Sequence, residues 1–344
     1  AWFAFGWFYF RGDGLNSRSC VTVLILGSVA FVSYFLYKSY LISGHDIRFH
    51  LYRIEGIKDG LLSGQFPVRL HPTFNYGYGY ATSTLYPELF LYVPAILRIL
   101  GVSIPTAYQV FLFLINLVTA WVMYISVKSM TGSRYCACLG SVTYTLAVYR
   151  LVCLYERSAI GEALGLCFIP LVIAGFYHVF LGDQKKWYIL MIGAVLVFQT
   201  HLISTLLTAA IAIIFGIIYL PRLFKDGRWK SLLKVLVGTG LLSLWYLIPL
   251  MDFYRLDLRL HTVESYSMYE NAVYPAQLLN LFSKGTGMSY DLSAGIRGEM
   301  TMTVGVLVGL CCVFCAAYYI WNRKEKKGFD FSLFLLGLPA TVGV

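Results

Sequence analysis

Charged residues are scarce in this chain. They make up 13% of its 344 residues, and 58% are hydrophobic, whereas a soluble domain has roughly a quarter charged residues. Apolar runs recur along the whole length, and a run of about 20 residues can cross about 30 Å of hydrocarbon. The short alternating segments of a transmembrane barrel are missing. The sequence therefore predicts an all-α, polytopic helical membrane protein and excludes a soluble globular domain.

Several motifs of nucleotide and metal chemistry are also missing. There is no Walker motif and no dinucleotide-binding glycine fingerprint, which argues against a nucleotide-driven cytoplasmic mechanism. The eight cysteines lie mostly in apolar runs without paired C-x-x-C motifs in polar surroundings, so they favour packing over zinc or disulfides. No D-x-D pair occurs, which leaves a metal requirement open.

The apolar runs predict about nine transmembrane helices within one domain, residues 20–344. The stretch 86–100 contains two prolines, a glutamate and an arginine and is shorter than the roughly 20 residues needed to cross, so it predicts an interfacial helix. Residues 1–19 are interpreted as a cytoplasmic arm or the end of an upstream span, and we expect the chain to continue beyond residue 344. The predicted spans are about 20–42, 105–127, 135–151, 159–181, 187–200, 203–221, 232–251, 299–321 and 331 onward.

The distribution of charge supports this count. With 86–100 in the interface, the N-terminal arm and the loops 128–134, 182–186, 222–231 and 322–330 share one side, together with the adjoining Lys234. That side carries 15 of the 27 basic residues and five of the 17 acidic ones, so the whole formal net charge of +10 lies there. Cytoplasmic loops are enriched in Lys and Arg. We therefore expect a multi-pass protein of the cell membrane with its N-terminus in the cytoplasm, and the basic charge gives no reason to expect nucleic acid as a partner.

The opposite, outer side carries two long loops, about 43–104 and 252–298, and its charges balance. In HDIRFHLYRIEGIKDGLL of the first loop, Ile47 and Ile54 belong to an apolar helical stripe suited to lying on a bilayer. Asp46, His50 and Arg53 follow at i, i+4 and i+7, so they share a neighbouring face of that helix. Such a group can bind a metal ion, activate a hydroxyl or hold a phosphate. The alternative is a solvated face that begins with an N-terminal capping box.

More candidates follow in the same loop. GQFPVRLHPTFNYGYGYATSTLYPELF contains Arg69 and His71, and then a Tyr/Gly alternation that includes Tyr78 and Tyr80. The tyrosines are typical of an aromatic belt at a membrane edge. The glycines allow a close approach of the backbone, which a belt does not require, so a substrate-binding role is the second interpretation.

Two further candidate groups fall at outer ends of spans. RLVCLYERSAIGEALGLCFIPL contains Glu156, Arg157 and Glu162, and an acid beside an apolar run is a functional-site hypothesis by default. Arg157 can instead neutralise Glu162 as a structural pair. His201 lies at a tight outer turn in QTHLIS, where it either packs or contributes to the same site.

These motifs resemble a known family. GHDIRFHLYR, GYGYATSTLYPELF, the YRLVCLYERSAIGEALGLCFIPL block and THLIS are similar to bacterial integral membrane proteins called 6-pyruvoyl-tetrahydropterin synthase related. The resemblance covers roughly residues 40–210. The H-x-H zinc ligands of pterin synthases have no counterpart here. The layout is similar to that of GT-C membrane glycosyltransferases, which have juxtamembrane helices in a large first outer loop.

The resemblance implies a glycosyltransferase with a polyprenyl-phosphate sugar donor and an acceptor in the cell envelope. It implies Asp46 as catalytic base or metal ligand, with Mg or Mn as the expected ion. Glu156 or Glu162 would be the second acid, and Arg53, Arg69 or Arg157 would bind the lipid phosphate. A base for the acceptor hydroxyl and a cation for the departing phosphate are what this reaction needs. A lipid or glycan transporter (flippase) and a non-catalytic envelope scaffold are the alternatives.

Overall fold

The computed structural model describes residues 18–255 and, beyond them, 305–306, 309–310 and 313. Over residues 18–255 the chain is helical, and its β pairing is a single antiparallel bridge between His71 and Tyr80. The predicted all-α class is confirmed for this part of the chain. Nearly all of the predicted outer loop 252–298 and of the last two predicted spans lies outside it.

The helices follow one another with short connections. Short 3₁₀ turns lie at Tyr34–Tyr37, Asn75–Gly77, Leu89–Leu91 and Gln184–Lys186, and π-helical turns lie at Val152–Glu156 and Tyr177–Leu181. The α-helices of the described residues are α1 (Arg18–Val32), α2 (Ile47–Leu62), α3 (Thr82–Leu85), α4 (Tyr92–Ile99), α5 (Ile104–Thr131), α6 (Arg134–Thr145), α7 (Val148–Leu151), α8 (Ile160–Phe176), α9 (Trp187–Phe198), α10 (Leu202–Ile218), α11 (Leu220–Lys225) and α12 (Trp229–Arg255).

Within the described residues, three helices are long and apolar enough to cross a membrane: α5, α8 with its π turn (Ile160–Leu181), and α12 (Trp229–Tyr254). A fourth span results if α6 and the segment Val148–Glu156, which meet at a bend of 49°, count as one. Helices α1 and α10 are shorter apolar helices. The stretch Leu89–Ile99 has 11 residues and covers about 16 Å at 1.5 Å per residue, too little to cross. The described part is thus a membrane-type helical bundle, and the count of about nine spans stays a prediction.

Helix α1 stops ten residues before the end of the predicted span 20–42. At its end, the carbonyl oxygen of Val32 accepts a hydrogen bond from the Tyr155 hydroxyl at 2.7 Å. The next residue, Ser33, accepts from the side-chain amide of Asn116 at 3.0 Å. A backbone group in hydrocarbon must be satisfied by protein. Tyr155 provides that for the Val32 carbonyl, and Asn116 bonds the Ser33 hydroxyl beside it.

The described loops gather at two ends of the bundle, as the charge count predicts. At the basic end, formed by residues 128–134, 178–186 and 222–231, the Arg228 guanidinium donates to the carbonyls of Val179 at 3.0 Å and Gly182 at 3.1 Å. The opposite end, formed by residues 43–103, 156–159 and 199–201, is called the loop end below. At the basic end the His178 ring also lies 3.4 Å from the Ser129 hydroxyl, so the three basic loops share one end of the bundle.

Helix α2 faces the protein and not a bilayer surface. Ile54 is 0% exposed and Ile47 is 7% exposed, so the prediction that their stripe lies on a membrane is wrong. The helix approaches the following loop closely through two glycines. A Cβ on Gly56 would lie 2.1 Å from the His71 Nδ1, and one on Gly60 would lie 2.6 Å from a methyl of Val68. The loop after α2 therefore folds back against the face of the helix that carries these two glycines.

Helices α8 and α9 pack through glycine contacts of the same kind. A Cβ on Gly175 would lie 2.3 Å from the Cα of Leu190, and one on Gly193 would lie 2.8 Å from the backbone nitrogen of Val172. Small residues let membrane helices approach closely enough for extensive van der Waals contact. This pair positions α8, which carries Glu162 at its first turn.

We expect Gly175→Ala to lower the free energy of unfolding by about 1–3 kcal/mol, because the backbone of α9 must move to admit one methyl group. Gly216→Ala on α10 is the matched control, since no described atom lies within 4 Å of its added Cβ. Alanine there should be neutral or stabilising by up to about 1 kcal/mol. Apparent melting temperatures in detergent compare the two variants, and equal values would contradict the close packing.

Candidate functional site

A backbone junction at the loop end joins the start of α2 to the turn before α8. The Asp46 amide donates to the carbonyl of Arg157 at 3.0 Å, and the His45 amide donates to that of Glu156 at 3.3 Å. Two segments more than 100 residues apart in the sequence are therefore held side by side. This junction brings the predicted catalytic aspartate next to the predicted second acidic region.

Glycine and strain make this junction possible. A Cβ on Gly44 would lie 2.0 Å from the Ser158 Oγ, so only glycine fits without movement of the partner. Ser158 itself has φ +54°, a left-handed conformation that non-glycine residues adopt uncommonly. Backbone strain of this kind persists only when surrounding contacts hold it, and such strain clusters at functional sites.

The Asp46 side chain is exposed at this junction. Asp46 occupies the N-cap position of α2, yet its side chain makes no capping hydrogen bond. The capping alternative raised by the sequence is therefore not observed. Its carboxylate remains accessible to accept a proton or a hydrogen bond from a bound molecule.

Glu162 is held by a cation and a phenol. Its Oε2 lies 2.6 Å from the Arg157 Nη1, and its Oε1 accepts a hydrogen bond from the Tyr149 hydroxyl. Arg157 also donates to the Tyr149 oxygen at 3.2 Å. The side chain of Glu162 is 9% exposed and that of Arg157 is 22% exposed. The structural pair considered from the sequence is present, and its arginine still reaches the surface.

Tyr86 connects the candidates that come from different segments. Its ring centroid lies 4.4 Å from the Arg53 guanidinium carbon and 6.1 Å from the ring of His201. A Cβ on Gly161 would lie 2.3 Å from its hydroxyl oxygen, so the tyrosine packs directly on the start of α8. Sequence reasoning did not select Tyr86, because one tyrosine among 27 has no distinguishing pattern.

Charges of several predicted site residues act on Tyr86. Burial raises the pKa of the Tyr86 phenol; Arg53 lowers it, Asp46 and Glu162 raise it, and Arg157 lowers it. Arg53 lies over its ring, and the first turn of α8, which carries Glu162, packs on its hydroxyl. Arg53 and the start of α8 therefore meet at a tyrosine that the sequence did not mark.

Comparison with protein-family models, with curated proteins and with solved structures finds no match to this chain.

Behind Tyr86, Arg53 belongs to a buried polar cluster. Its Nη2 donates to the carbonyl of Pro87 at 2.9 Å and lies 3.7 Å from Glu88 Oε2. The same oxygen of Glu88 lies 3.3 Å from His71 Nε2, and Ser83 donates to the other oxygen, Oε1. Sequence reasoning did not select Glu88 as a site residue, although an acid directly after a proline in an apolar stretch is a signal that could have found it.

This cluster is not a hydrolytic triad. Ser83 and Glu88 both contact the same nitrogen of His71, Nε2, whereas in a Ser-His-acid triad the acid holds the opposite ring nitrogen. Arg53 and His71 are at most 1% exposed and Glu88 is 4% exposed. Their observed contacts are with the protein itself and brace the first loop, and the binding roles predicted for Arg53 and His71 stay predictions.

His50 is equally buried, 1% exposed, between Arg53 and the aromatic rings of Phe49 and Tyr86. Its Nδ1 lies 3.4 Å from the Arg53 Nη1, so the neutral imidazole accepts a hydrogen bond. Burial, and then the charge of Arg53, lower the pKa of His50 from 6.5 to about 3. Its predicted substrate-binding role stays a prediction, since the described protein covers it.

This pKa shift predicts a pH-dependent stability. Between pH 6.5 and about pH 3 the unfolded chain binds one more proton at His50 than the folded chain does, so stability is lost as the pH falls through this window. From pH 6.5 to about pH 5 the loss is about 2 kcal/mol. Melting temperatures at about pH 7.5 and pH 5 should differ less for His50→Gln than for the wild type. An equal difference in both proteins would contradict the shift.

The remaining candidates of the first loop lie apart from Asp46. Arg69 donates to the carbonyl of Trp245, and its guanidinium carbon lies 5.4 Å from that ring, which ties the loop to α12. Tyr78 is 91% exposed and Tyr80 is 36% exposed. They follow a turn in which Tyr76 has φ +57°. The structure does not bring these three predicted residues into the group around Tyr86.

Glu156 and His201 lie at the edges of the site. Glu156 is half-buried and lines an apolar groove of about 560 Å³ beside Phe31 and Tyr34. His201 caps α10 by accepting from the Ser204 amide, and its ring stands beside Tyr86. Burial lowers the pKa of His201, with Glu162 raising it and Arg157 lowering it. His201 thus contacts the site through Tyr86.

The predicted metal ion requires a set of ligands. Among residues 18–255 and the few described beyond them, no three His, Cys, Asp or Glu side chains are grouped so that they could hold one. Both oxygens of Glu162 are engaged by Arg157 and Tyr149. The divalent cation therefore stays a prediction.

Proposed function

We propose that this protein is a membrane glycosyltransferase of GT-C type that transfers a sugar from a polyprenyl-phosphate donor to an acceptor of the cell envelope. It would lie in the bacterial cell membrane with its N-terminus in the cytoplasm and its loop end outside. The observation that carries the proposal is the backbone junction that places Asp46, whose side chain is exposed, beside Arg157, whose guanidinium pairs with Glu162.

The chemistry divides between these side chains. The acceptor hydroxyl oxygen forms a bond to the anomeric carbon as the bond from that carbon to the phosphate oxygen breaks. Its proton goes to Asp46 as general base, and the electron pair of the broken bond leaves with the lipid phosphate. The guanidinium of Arg157 stabilises that phosphate, while Glu162 and Tyr149 orient the arginine. In this scheme Asp46 takes the proton and Arg157 offsets the charge of the leaving phosphate, so the step does not require a metal ion.

Transport is the second candidate, and one observation favours it. Arg150 is 2% exposed within the bundle, where it donates to Asn116 Oδ1 at 2.9 Å and to the Thr145 carbonyl at 2.7 Å. Ionisable residues buried between membrane helices mark substrate or ion pathways in many transporters. A flippase would move the intact lipid-linked sugar without cleaving it.

One assay separates the candidates. The full chain is reconstituted into vesicles with polyprenyl phosphates carrying a radiolabelled hexose or pentose, together with an envelope extract as acceptor. Label transferred from lipid to extract supports the enzyme. Intact donor that crosses the bilayer without cleavage overturns the enzyme in favour of the flippase. If no donor is either cleaved or moved across the bilayer, the enzyme is overturned and the third candidate, a non-catalytic scaffold, remains.

A further inference from the structure

A second feature lies at the opposite, basic end of the bundle. Helices α1 and α5 diverge there and leave a groove of about 660 Å³. Its walls are apolar, with Ile25 of α1 and Leu117 and Trp121 of α5 among them. Trp121 is 60% exposed, so its indole forms an open side of the groove. The proposed transfer reaction does not use this groove.

The mouth of the groove is cationic. Arg18, Lys128 and Arg134 come from three different helices and all line it. The side chains of Arg18 and Lys128 are exposed, and the side chains that the structure describes around the groove include no acid. Because the rest of the lining is apolar, positive charge is concentrated at one end only.

The dimensions match one leaflet of a bilayer. From Lys128 to Leu117 along α5 the groove extends for about 16 Å at 1.5 Å per residue. Half of a hydrocarbon core of about 30 Å is about 15 Å. A ligand with its charge at the mouth would therefore place its apolar part along the groove down to the middle of the bilayer.

We propose that this groove binds an anionic diacyl phospholipid from the leaflet at the basic end. The phosphate and the anionic headgroup contact Arg18 and Lys128, whose side chains are exposed, and an acyl chain lies against Ile25 and Trp121. Clusters of basic residues at a membrane surface select anionic lipids. A zwitterionic lipid offers the same chains without net charge, so the cations discriminate between the two.

The test uses Trp121 as a local reporter of lipid contact. The full chain is reconstituted into vesicles of phosphatidylcholine, and either brominated phosphatidylglycerol or brominated phosphatidylcholine is added in increasing proportion. Bromine quenches tryptophan fluorescence on contact. The chain has seven tryptophans, so the share that belongs to Trp121 is the difference between the wild type and Trp121→Phe.

We expect quenching of Trp121 at a lower proportion of phosphatidylglycerol than of phosphatidylcholine. Lys128→Gln and Arg18→Gln should each weaken the phosphatidylglycerol preference by roughly fivefold. Lys185→Gln is the matched control, an exposed lysine at the same end that does not line the groove, and should leave the preference unchanged.

Three outcomes would overturn the proposal. Equal quenching by the two lipids would show that the cations do not select charge. A loss in Lys185→Gln as large as in Lys128→Gln would show a general effect of surface charge. Absence of quenching at Trp121 by either lipid would show that another part of the chain or a second copy occupies the groove.

Discussion

Replacing Glu88 by alanine is expected to lower the free energy of unfolding by about 3–5 kcal/mol, because Arg53 then stays buried without its carboxylate. The two side chains are 1% and 3% exposed and lie 3.7 Å apart, so water cannot replace the lost partner. The change also removes the carboxylate that contacts His71 and Ser83. The apparent melting temperature of the purified protein in detergent measures the loss.

A matched control separates the effect of losing a buried carboxylate from the effect of losing any paired carboxylate. Glu55 lies on α2 and pairs with Lys58 at 2.5 Å, but its side chain is 28% exposed. We expect Glu55→Ala to cost less than about 1 kcal/mol. Adding Arg53→Met to the Glu88→Ala variant should recover part of its stability, since an apolar side chain needs no counterion. Equal losses for Glu88→Ala and Glu55→Ala would contradict a buried ionic cluster.

Asp46→Asn is expected to reduce sugar transfer by about 10²–10⁴-fold, because an amide cannot take the proton of the acceptor hydroxyl. The shape of the side chain is preserved, and the backbone amide that donates to Arg157 is untouched. The melting temperature should stay at the wild-type value, since the Asp46 side chain is exposed and makes no capping hydrogen bond. The labelled-donor assay measures the rate.

Asp59→Asn is the matched control for this experiment. Asp59 lies on the same helix, α2, and its side chain is 33% exposed and 3.3 Å from Lys58. The same chemical change there should leave transfer within about twofold of the wild type, because surface substitutions away from a site have small effects. If Asp46→Asn transfers sugar as fast as Asp59→Asn does, Asp46 is not the base.

The sequence was a good guide to which loops share an end of the bundle. Lys and Arg in the loops 128–134, 182–186 and 222–231 predicted one common end, and the contacts of Arg228 and Ser129 with the 178–182 turn show it. Lengths of helices were harder to predict. Hydropathy extends α1 into the Tyr34–Tyr37 turn, because it does not include the hydrogen bond by which Tyr155 satisfies the Val32 carbonyl at the helix end.

The spacing of Asp46, His50 and Arg53 predicted one helix correctly, but it could not say which face is covered. The position of Arg53 on a regular helix is the same whether its side chain contacts water, lipid or Glu88. Tyr86 and Tyr149 gave no periodic or compositional signal either, since each acts through a partner that is distant in sequence. Their roles depend on the close approach at Gly161 and on the bend between α6 and α7.

By itself the sequence determined the helical membrane class, the asymmetry of charge and the region that carries the polar candidates, because hydropathy and charge act locally along the chain. Tertiary structure alone decided which candidates are buried, which pair with one another and which remain accessible. The physical reason is that burial and partnership arise from contacts between distant segments, such as the one that joins Asp46 to Arg157.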